Sequence, residues 1–140
     1  HGDDWVEGAL DDIAGIYNNS LRSPQGQREF ITAYITGVMI QRELSEDELT
    51  MLVEQSMNTP YYIAGNLFAS GMFSDYREAA KQASEQLPTL TVVAEHWAET
   101  AARFTKELSP KTQLEVLGGH MMFWEHHEKF NQILEGFIKN

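Results

Sequence analysis

Apolar residues in the first half of the chain recur at helical spacing. The first apolar stripe consists of Trp5, Ala9, Ile13, Ile16 and Tyr17. A second, broader stripe runs over residues 30–39. Repeats of three and four residues place side chains on one face of a helix, so both segments predict amphipathic helices. Ser23-Pro24 predicts where the second helix begins, because serine caps helices and proline suits the first helical position.

The clearest helix start lies between Leu44 and Leu49. Ser45 can accept a hydrogen bond from the backbone N–H of Glu48, and the Glu48 side chain can return one, which is a capping box. Leu44 can pack on Leu49 as a hydrophobic staple. This helix is predicted to end before Pro60, and two shorter helices are predicted over 61–69 and 74–85.

The pattern changes after Pro88. Residues 89–94 form a short β-branched run bounded by proline, which predicts a buried strand. A helical pattern follows and ends at Ser109-Pro110. Residues 113–117 predict a second strand that ends at Gly118-Gly119, and an amphipathic helix closes the chain over 130–138. A strand, a helix and a strand in this order predict two parallel strands joined by a right-handed crossover.

The predicted fold class is therefore α/β and predominantly helical. About five helices occupy residues 1–86, and a βαβα unit occupies residues 87–140. Parallel strands are normally buried on both faces and flanked by further strands. We therefore expect the strands at 89–94 and 113–117 to belong to a larger sheet.

Composition excludes several kinds of function. The 140 residues carry a formal net charge of −11, which argues against binding nucleic acid or an anionic membrane. The absence of cysteine excludes disulfides, zinc–thiolate sites and iron–sulfur clusters. No apolar run approaches the roughly 20 residues of a transmembrane helix, and no signal segment opens the chain, so a cytoplasmic location is expected.

No cofactor or metal site is expected. The sequence contains neither a G-x-G-x-x-G nor a Walker motif. Residues 125–128 read Glu-His-His-Glu, but neighbouring positions on a helix diverge by about 100° and cannot converge on one ion.

The second half of the chain resembles the C-terminal end of the α/β-hydrolase superfamily. The resemblance covers the Leu87–Ala94 strand with its Pro-Thr-Leu start, the Gly118-Gly119-His120 turn after the last strand, and the Glu128–Phe137 pattern of the closing helix. Residues 5–85 resemble the helical cap that many members insert before the penultimate strand. Asp75-Tyr76-Arg77 resembles an Asp-x-Arg motif often found before the Pro-Thr-Leu strand. By this resemblance, His120 occupies the position of the catalytic histidine.

The residues around His120 are compatible with that role. His120 follows two glycines at the carboxyl end of a predicted parallel strand, where open α/β sheets place ligand chemistry. A histidine there can act as a general base if another group holds its second ring nitrogen. The alternative interpretation is a solvent-facing loop histidine.

The resemblance leaves the acidic partner of His120 less defined. The family often has Gly-Glu-x-Asp after the penultimate strand, but here Trp97 stands where the aspartate is expected, which leaves Glu95. Some members take the acid from the loop before the cap, and Asp3-Asp4-Trp5 resembles that arrangement. Asp4 is the predicted acid, with Asp3 and Glu95 as alternatives. Asp3 and Asp4 also suit an acidic helix start.

The sequence also predicts an apolar substrate pocket. The residues expected to line this pocket are Trp5, Trp97, Met121 and Phe123.

No serine lies in a G-x-S-x-G elbow, so the nucleophile and the oxyanion hole are missing from this chain. The resemblance covers about half of a typical member, and we expect the chain to be a truncated form that is inactive alone.

Three functions remain open. The first is an enzyme fragment whose parent hydrolyses a small apolar ester or related carbonyl compound with His120 as base. The second is a non-enzymatic oligomer that binds a small apolar ligand or a partner protein. The third, suggested by Asp4-Trp5, is a cofactor-free dioxygenase of the same fold. In each case an unpaired sheet edge or the cap helices predict a homo-oligomer, most simply a dimer.

Overall fold

The computed structural model describes residues 7–139, which are mostly helical and contain one parallel pair of strands. These residues fall into two compact units. The N-terminal unit comprises residues 7–38 and 42–74, and the C-terminal unit comprises residues 39–41 and 75–139. None of the helices described between residues 7 and 139 has the length and apolar character that crossing a bilayer requires.

The N-terminal unit contains four α-helices. They are α1 (Glu7–Asn19), α2 (Pro24–Tyr34), α3 (Glu46–Met57) and α4 (Tyr61–Phe73), and α2 continues into a π-helical turn at Ile35–Met39. The predicted start of α2 is confirmed, because the Ser23 hydroxyl accepts a hydrogen bond of 3.0 Å from the Gly26 N–H. The helix predicted over 61–69 is present but extends to Phe73.

A small set of side chains forms the interior of the N-terminal unit. Ile13, Leu21, Ile35 and Val53 are buried apolar residues. The Gln27 side chain is buried beside them and is only 2% exposed. Its amide donates a hydrogen bond of 2.9 Å to the Thr59 carbonyl, which satisfies a polar group that would otherwise be costly to bury.

The capping box at the start of α3 is confirmed. The Ser45 hydroxyl accepts from the Glu48 N–H at 3.3 Å, and a Glu48 carboxylate oxygen accepts from the Ser45 N–H at 3.0 Å. The helix ends at Met57, before Pro60, as predicted. Local side-chain chemistry therefore determines where α3 begins.

The C-terminal unit contains the strands. Its elements are α5 (Arg77–Gln86), β1 (Leu90–Val93), a 3-10 turn (Glu95–Trp97), α6 (Ala98–Leu108), β2 (Gln113–Val116), α7 (Met122–Glu125) and α8 (His127–Lys139). β1 and β2 are parallel, and their register runs from Leu90 opposite Gln113 to Val93 opposite Val116. The predicted parallel pair is therefore confirmed. Thr89 and Leu117 lie just outside the strands but still take part in the hydrogen bonding between them.

The two strands are poorly covered. None of their eight residues is buried, and Val116 is 44% exposed. Within residues 7–139 the sheet contains these two strands alone. Apolar side chains lie on both faces, which is the pattern of strands that are buried on both sides in parallel sheets.

Several element boundaries in the C-terminal unit differ from the sequence prediction, because β1 ends at Val93, β2 ends at Val116 and the closing helix begins at His127. The helix predicted over 74–85 begins at Arg77, because the Asp75 carboxylate accepts a hydrogen bond from the Arg77 N–H and ends the preceding loop there. The segment after His120 contains the short helix α7, which the sequence pattern did not indicate because four residues are too few to show a period.

Candidate functional site

The carboxyl ends of β1 and β2 lie at one edge of the sheet. Because the strands are parallel, the segments that follow them, residues 94–97 and 117–120, are neighbours. The Glu95 N–H donates a hydrogen bond of 2.9 Å to the Gly118 carbonyl and so joins the two segments. This edge is where open α/β sheets usually carry their ligand chemistry.

Two histidines meet at this edge. The rings of His96 and His120 are stacked, with centroids 5.5 Å apart and planes inclined by 16°. On its own segment, His96 also contacts the Trp97 ring, with a centroid distance of 5.7 Å and an angle of 50°. The three rings therefore form a continuous aromatic group beside the end of the sheet.

The glycine pair before His120 permits a close passage of the chain. Gly118 has a φ of +52°, and a Cβ atom there would lie 2.4 Å from Cδ2 of His126. A Cβ atom on Gly119 would lie 3.1 Å from the Met39 carbonyl oxygen. The positive φ and the His126 ring make a side chain unfavourable at position 118, whereas at position 119 a side chain would require the neighbouring atoms to shift by a few tenths of an ångström.

Hydrogen bonds on the far side of this turn hold it in place. The Met121 N–H donates to the Met39 carbonyl at 3.0 Å. The Glu125 carboxylate accepts the Gln41 N–H through both oxygens, at 3.1 and 3.2 Å. His120 therefore lies between two anchored segments, β2 before it and the Met121–Glu125 segment after it.

An apolar cleft opens beside His120. Its volume is about 290 Å³, slightly below the range of about 300–1,000 Å³ for small-molecule sites. The cleft is lined by Val92, Val93, Ala94, Trp97, His120 and Met122. Among these, His120 supplies the ionisable group. Such a site favours a small apolar ligand that presents one polar atom to the imidazole.

The environment of His120 favours its neutral form. Burial lowers the pKa of His120, and the proximity of His96 lowers it further. Both causes disfavour the imidazolium, the first by removing water and the second by like-charge repulsion. A neutral imidazole keeps a free electron pair and can accept a proton, which general-base chemistry requires.

The predicted site residues do not all lie at the cleft. His120 and Trp97 both line the cleft. Glu95 lies on the 3-10 turn that contains Trp97 and is exposed to solvent. Met121 is half-buried, and Phe123 is 52% exposed with its ring 6.3 Å from that of Phe130. The predictions for Asp3, Asp4 and Trp5 lie outside the described residues.

Sequence reasoning did not single out His96 or Met122. A signal for His96 was available, because residues that follow two adjacent parallel strands must lie close together. His96 comes three residues after β1, and His120 four residues after β2. Met122 lacked such a signal, since it lies on a short helix whose burial depends on the packing of the C-terminal unit.

The Asp75-x-Arg77 motif forms an ion pair at the start of α5. The Arg77 Nε donates to the two Asp75 carboxylate oxygens at 2.9 and 3.0 Å, and a terminal guanidinium nitrogen contacts the same carboxylate. This pairing holds the pKa of Asp75 well below its usual range. The pair is exposed, so its main structural effect is to shape the loop that leads into α5.

Metal-binding geometry is not found among the described residues, where no group of three or more histidine, aspartate or glutamate side chains is arranged to hold an ion.

No protein-family model matches the chain, and no curated protein matches it.

Proposed function

We propose that this chain is the C-terminal half of an α/β-hydrolase-like protein, with His120 as the general base. The observation that carries the proposal is the position of His120, which follows the last strand of a parallel pair and borders an apolar cleft of about 290 Å³. The turn that holds it contains Gly118, whose φ of +52° and close approach to the His126 ring disfavour a side chain. The parent protein would hydrolyse a small apolar ester or related carbonyl compound.

In this reaction a hydroxyl group attacks the carbonyl carbon of the ester. The proton of the hydroxyl passes to His120, which then returns it to the departing alkoxide. The neutral form favoured at His120 suits the first transfer. Asp4 is the proposed acid that orients the ring, with Asp3 and Glu95 as alternatives. The nucleophile and the oxyanion donors would come from a preceding half that this chain lacks, since its sequence has no G-x-S-x-G elbow.

The exposure of the sheet supports a missing half. Both faces of the strand pair carry apolar side chains, yet none of the eight strand residues is buried. A parallel sheet gains its stability from helices on both faces and from further strands at its edges. A preceding half that contains both strands and helices would supply these two features. In this proposal residues 1–86 would correspond to the helical cap of the family.

The test uses the full reading frame that contains these residues. We expect an upstream G-x-S-x-G motif and hydrolysis of p-nitrophenyl butyrate by the whole protein. Replacement of His120 by glutamine should lower kcat/KM by about 10²–10⁴-fold, the usual contribution of a general base. His127→Gln is the matched control, because His127 is an exposed histidine on α8, outside the residues that line the cleft. Unchanged hydrolysis in the His120 variant would overturn the assignment of the base.

A second function is favoured by one observation, the coexistence of an apolar cleft with a chain that has no nucleophile elbow. In this alternative the 140-residue chain is a non-enzymatic oligomer that binds a small apolar ligand. A reading frame without a G-x-S-x-G motif, together with quenching of Trp97 fluorescence by 1-naphthol, would select this alternative. Trp97→Phe is the variant that should lose the quenching.

A further inference from the structure

The stacked histidine pair has no counterpart in the proposed triad. His96 lies on the 3-10 turn after β1, and its ring covers that of His120 at a centroid distance of 5.5 Å and an angle of 16°. His96 is solvent-exposed and His120 is only partly desolvated, so both can exchange protons with water. His96 is not among the residues that line the cleft, whereas His120 is, so His96 would act on a ligand only through His120.

Two nearly parallel imidazoles at this distance influence each other in two ways. Aromatic rings in contact restrict each other's side-chain rotation. Protonation of one ring also disfavours protonation of the other, because like charges repel. Groups that interact in this way lose their protons in steps that belong to the pair.

Other titratable groups lie around the pair. Glu95 precedes His96 on the same turn, and Glu125 and His126 lie behind the Gly118-Gly119 turn. The Glu125 carboxylate accepts the Gln41 N–H, and the His126 ring lies against Gly118. The charge of His96 lowers the pKa of His120.

We propose that His96 is a positioning residue that fixes the orientation of the His120 ring at the cleft and makes the two imidazoles take up protons one after the other. This inference deepens the proposed role of His120 as a base and takes its meaning from that role. At pH values where both rings are neutral, His120 can accept a proton from a nucleophile. As the pH falls, the pair takes up its first proton, and the second is resisted by repulsion. His120 therefore remains neutral to lower pH than it would without His96.

The experiment is an NMR titration of the histidine ring signals in the 140-residue chain without any substrate. In the unsubstituted protein the His120 signal should titrate in two steps. His96→Ala should give a single step with a midpoint at higher pH, and the ring protons of His120 should lose the ring-current shift that stacking causes. His96→Phe should also give a single step but keep the ring-current shift, because it retains a ring without a charge. His127→Ala is the matched control and should leave the His120 signal unchanged.

Each outcome bears on the proposal. A His120 curve that has one step in the unsubstituted protein, or that is unaffected by His96→Ala, would overturn it. The first of these measurements needs no variant, so it remains decisive if a substitution prevents folding. Failure of the proposed hydrolase function would appear separately, as absent hydrolysis by the whole protein despite the two-step titration. In an active whole protein, His96→Phe should move the acidic limb of kcat/KM to higher pH.

Discussion

At the scale of single residues, Gly118 determines how His120 is presented. Its φ of +52° lies in the left-handed region, and a Cβ atom there would lie 2.4 and 2.6 Å from two atoms of the His126 ring. A residue with a side chain meets a conformational cost and a steric one at this position. The position of His120 therefore depends on a residue without a Cβ atom at position 118.

We predict that Gly118→Ala lowers the free energy of unfolding by at least about 1–2 kcal/mol, the cost of the left-handed conformation for a residue with a Cβ atom. The displacement of the His126 ring adds to this cost. Urea denaturation followed by circular dichroism measures the change. Gly136→Ala on α8 is the matched control, because a Cβ atom there meets open space, and alanine in a helix is more stable than glycine by about 0.5–1 kcal/mol. Equal stability of the two variants would contradict this account of the turn.

At the scale of elements, the start of α3 shows how side chains define a helix boundary. The Glu48 carboxylate accepts from the Ser45 N–H and hydroxyl, each at 3.0 Å, and pairs with Arg42 at 2.6 Å. The hydrogen bonds from Arg42 and from Ser45 lower the pKa of Glu48 to about 2. Glu46 and Asp47 in the same turn also suit the positive end of the helix dipole.

The lowered pKa of Glu48 makes a prediction about pH. Because the folded-state value of about 2 lies below the ordinary value of 4.5, the stabilisation by the carboxylate is complete above pH 4.5. It is lost as the pH falls from 4.5 towards 2. Glu48→Gln keeps the shape of the capping box without the charge, so its melting temperature should be below that of the unsubstituted protein at pH 6, and the gap should narrow by pH 3. Glu46→Gln, in the same turn but outside the capping box, is the control, and a gap that widens towards pH 3 would refute the prediction.

At the scale of the whole molecule, the outer edge of β1 is the feature that most favours association. The carbonyl groups of Thr89 and Val93 accept hydrogen bonds from β2. Backbone groups alternate in direction along a strand, so those of Leu90 and Val92 point to the other edge, where residues 7–139 supply no strand. An apolar strand with such an edge readily pairs with another strand. We propose that two copies of the isolated chain pair at this edge about a two-fold axis.

This proposal predicts a dimer of the 140-residue chain in sedimentation velocity. Leu90→Pro removes a backbone N–H from the outer edge without removing a bond to β2, and proline is tolerated at edges. The variant should therefore shift the equilibrium towards monomer. Ile138→Lys is the control, because Ile138 is a 79% exposed apolar residue on α8, remote in sequence from β1, and it should leave the dimer intact. A dimer that Leu90→Pro does not weaken would place the interface elsewhere, and a monomer at every concentration would refute the homo-oligomer.

Much of the fold could be predicted because its signals are local. Ser23-Pro24 and the Ser45–Glu48 box act within one helical turn, and both were confirmed. The β-branched run at 89–94 and the strand at 113–117 were recognisable from composition and bounding residues, and their parallel pairing follows from the intervening helix. Strand ends were less well predicted, since they depend on where the pairing stops.

The candidate site was predictable only in part. His120 was singled out by the resemblance of its Gly-Gly-His turn to a known family, and Trp97 was singled out as an expected pocket residue; both line the cleft. His96 was not singled out although its place after β1 predicts that it lies near His120. Met122 was not singled out because its burial at the cleft depends on packing between distant segments. The acid assigned to Asp4 stays a prediction, because that residue lies outside the described part of the chain.

The sequence by itself therefore determined the starts of α2 and α3, the parallel strand pair and the lack of a nucleophile elbow, because each follows from residues near one another in the chain. Only the tertiary structure decided that His96 stacks on His120, that the Gly118-Gly119 turn passes against His126 and residue 39, and that a cleft opens beside the imidazole. These features arise where β1, β2 and α7 come together. Their positions depend on close packing between distant segments, and a one-dimensional pattern of residues carries no such distances.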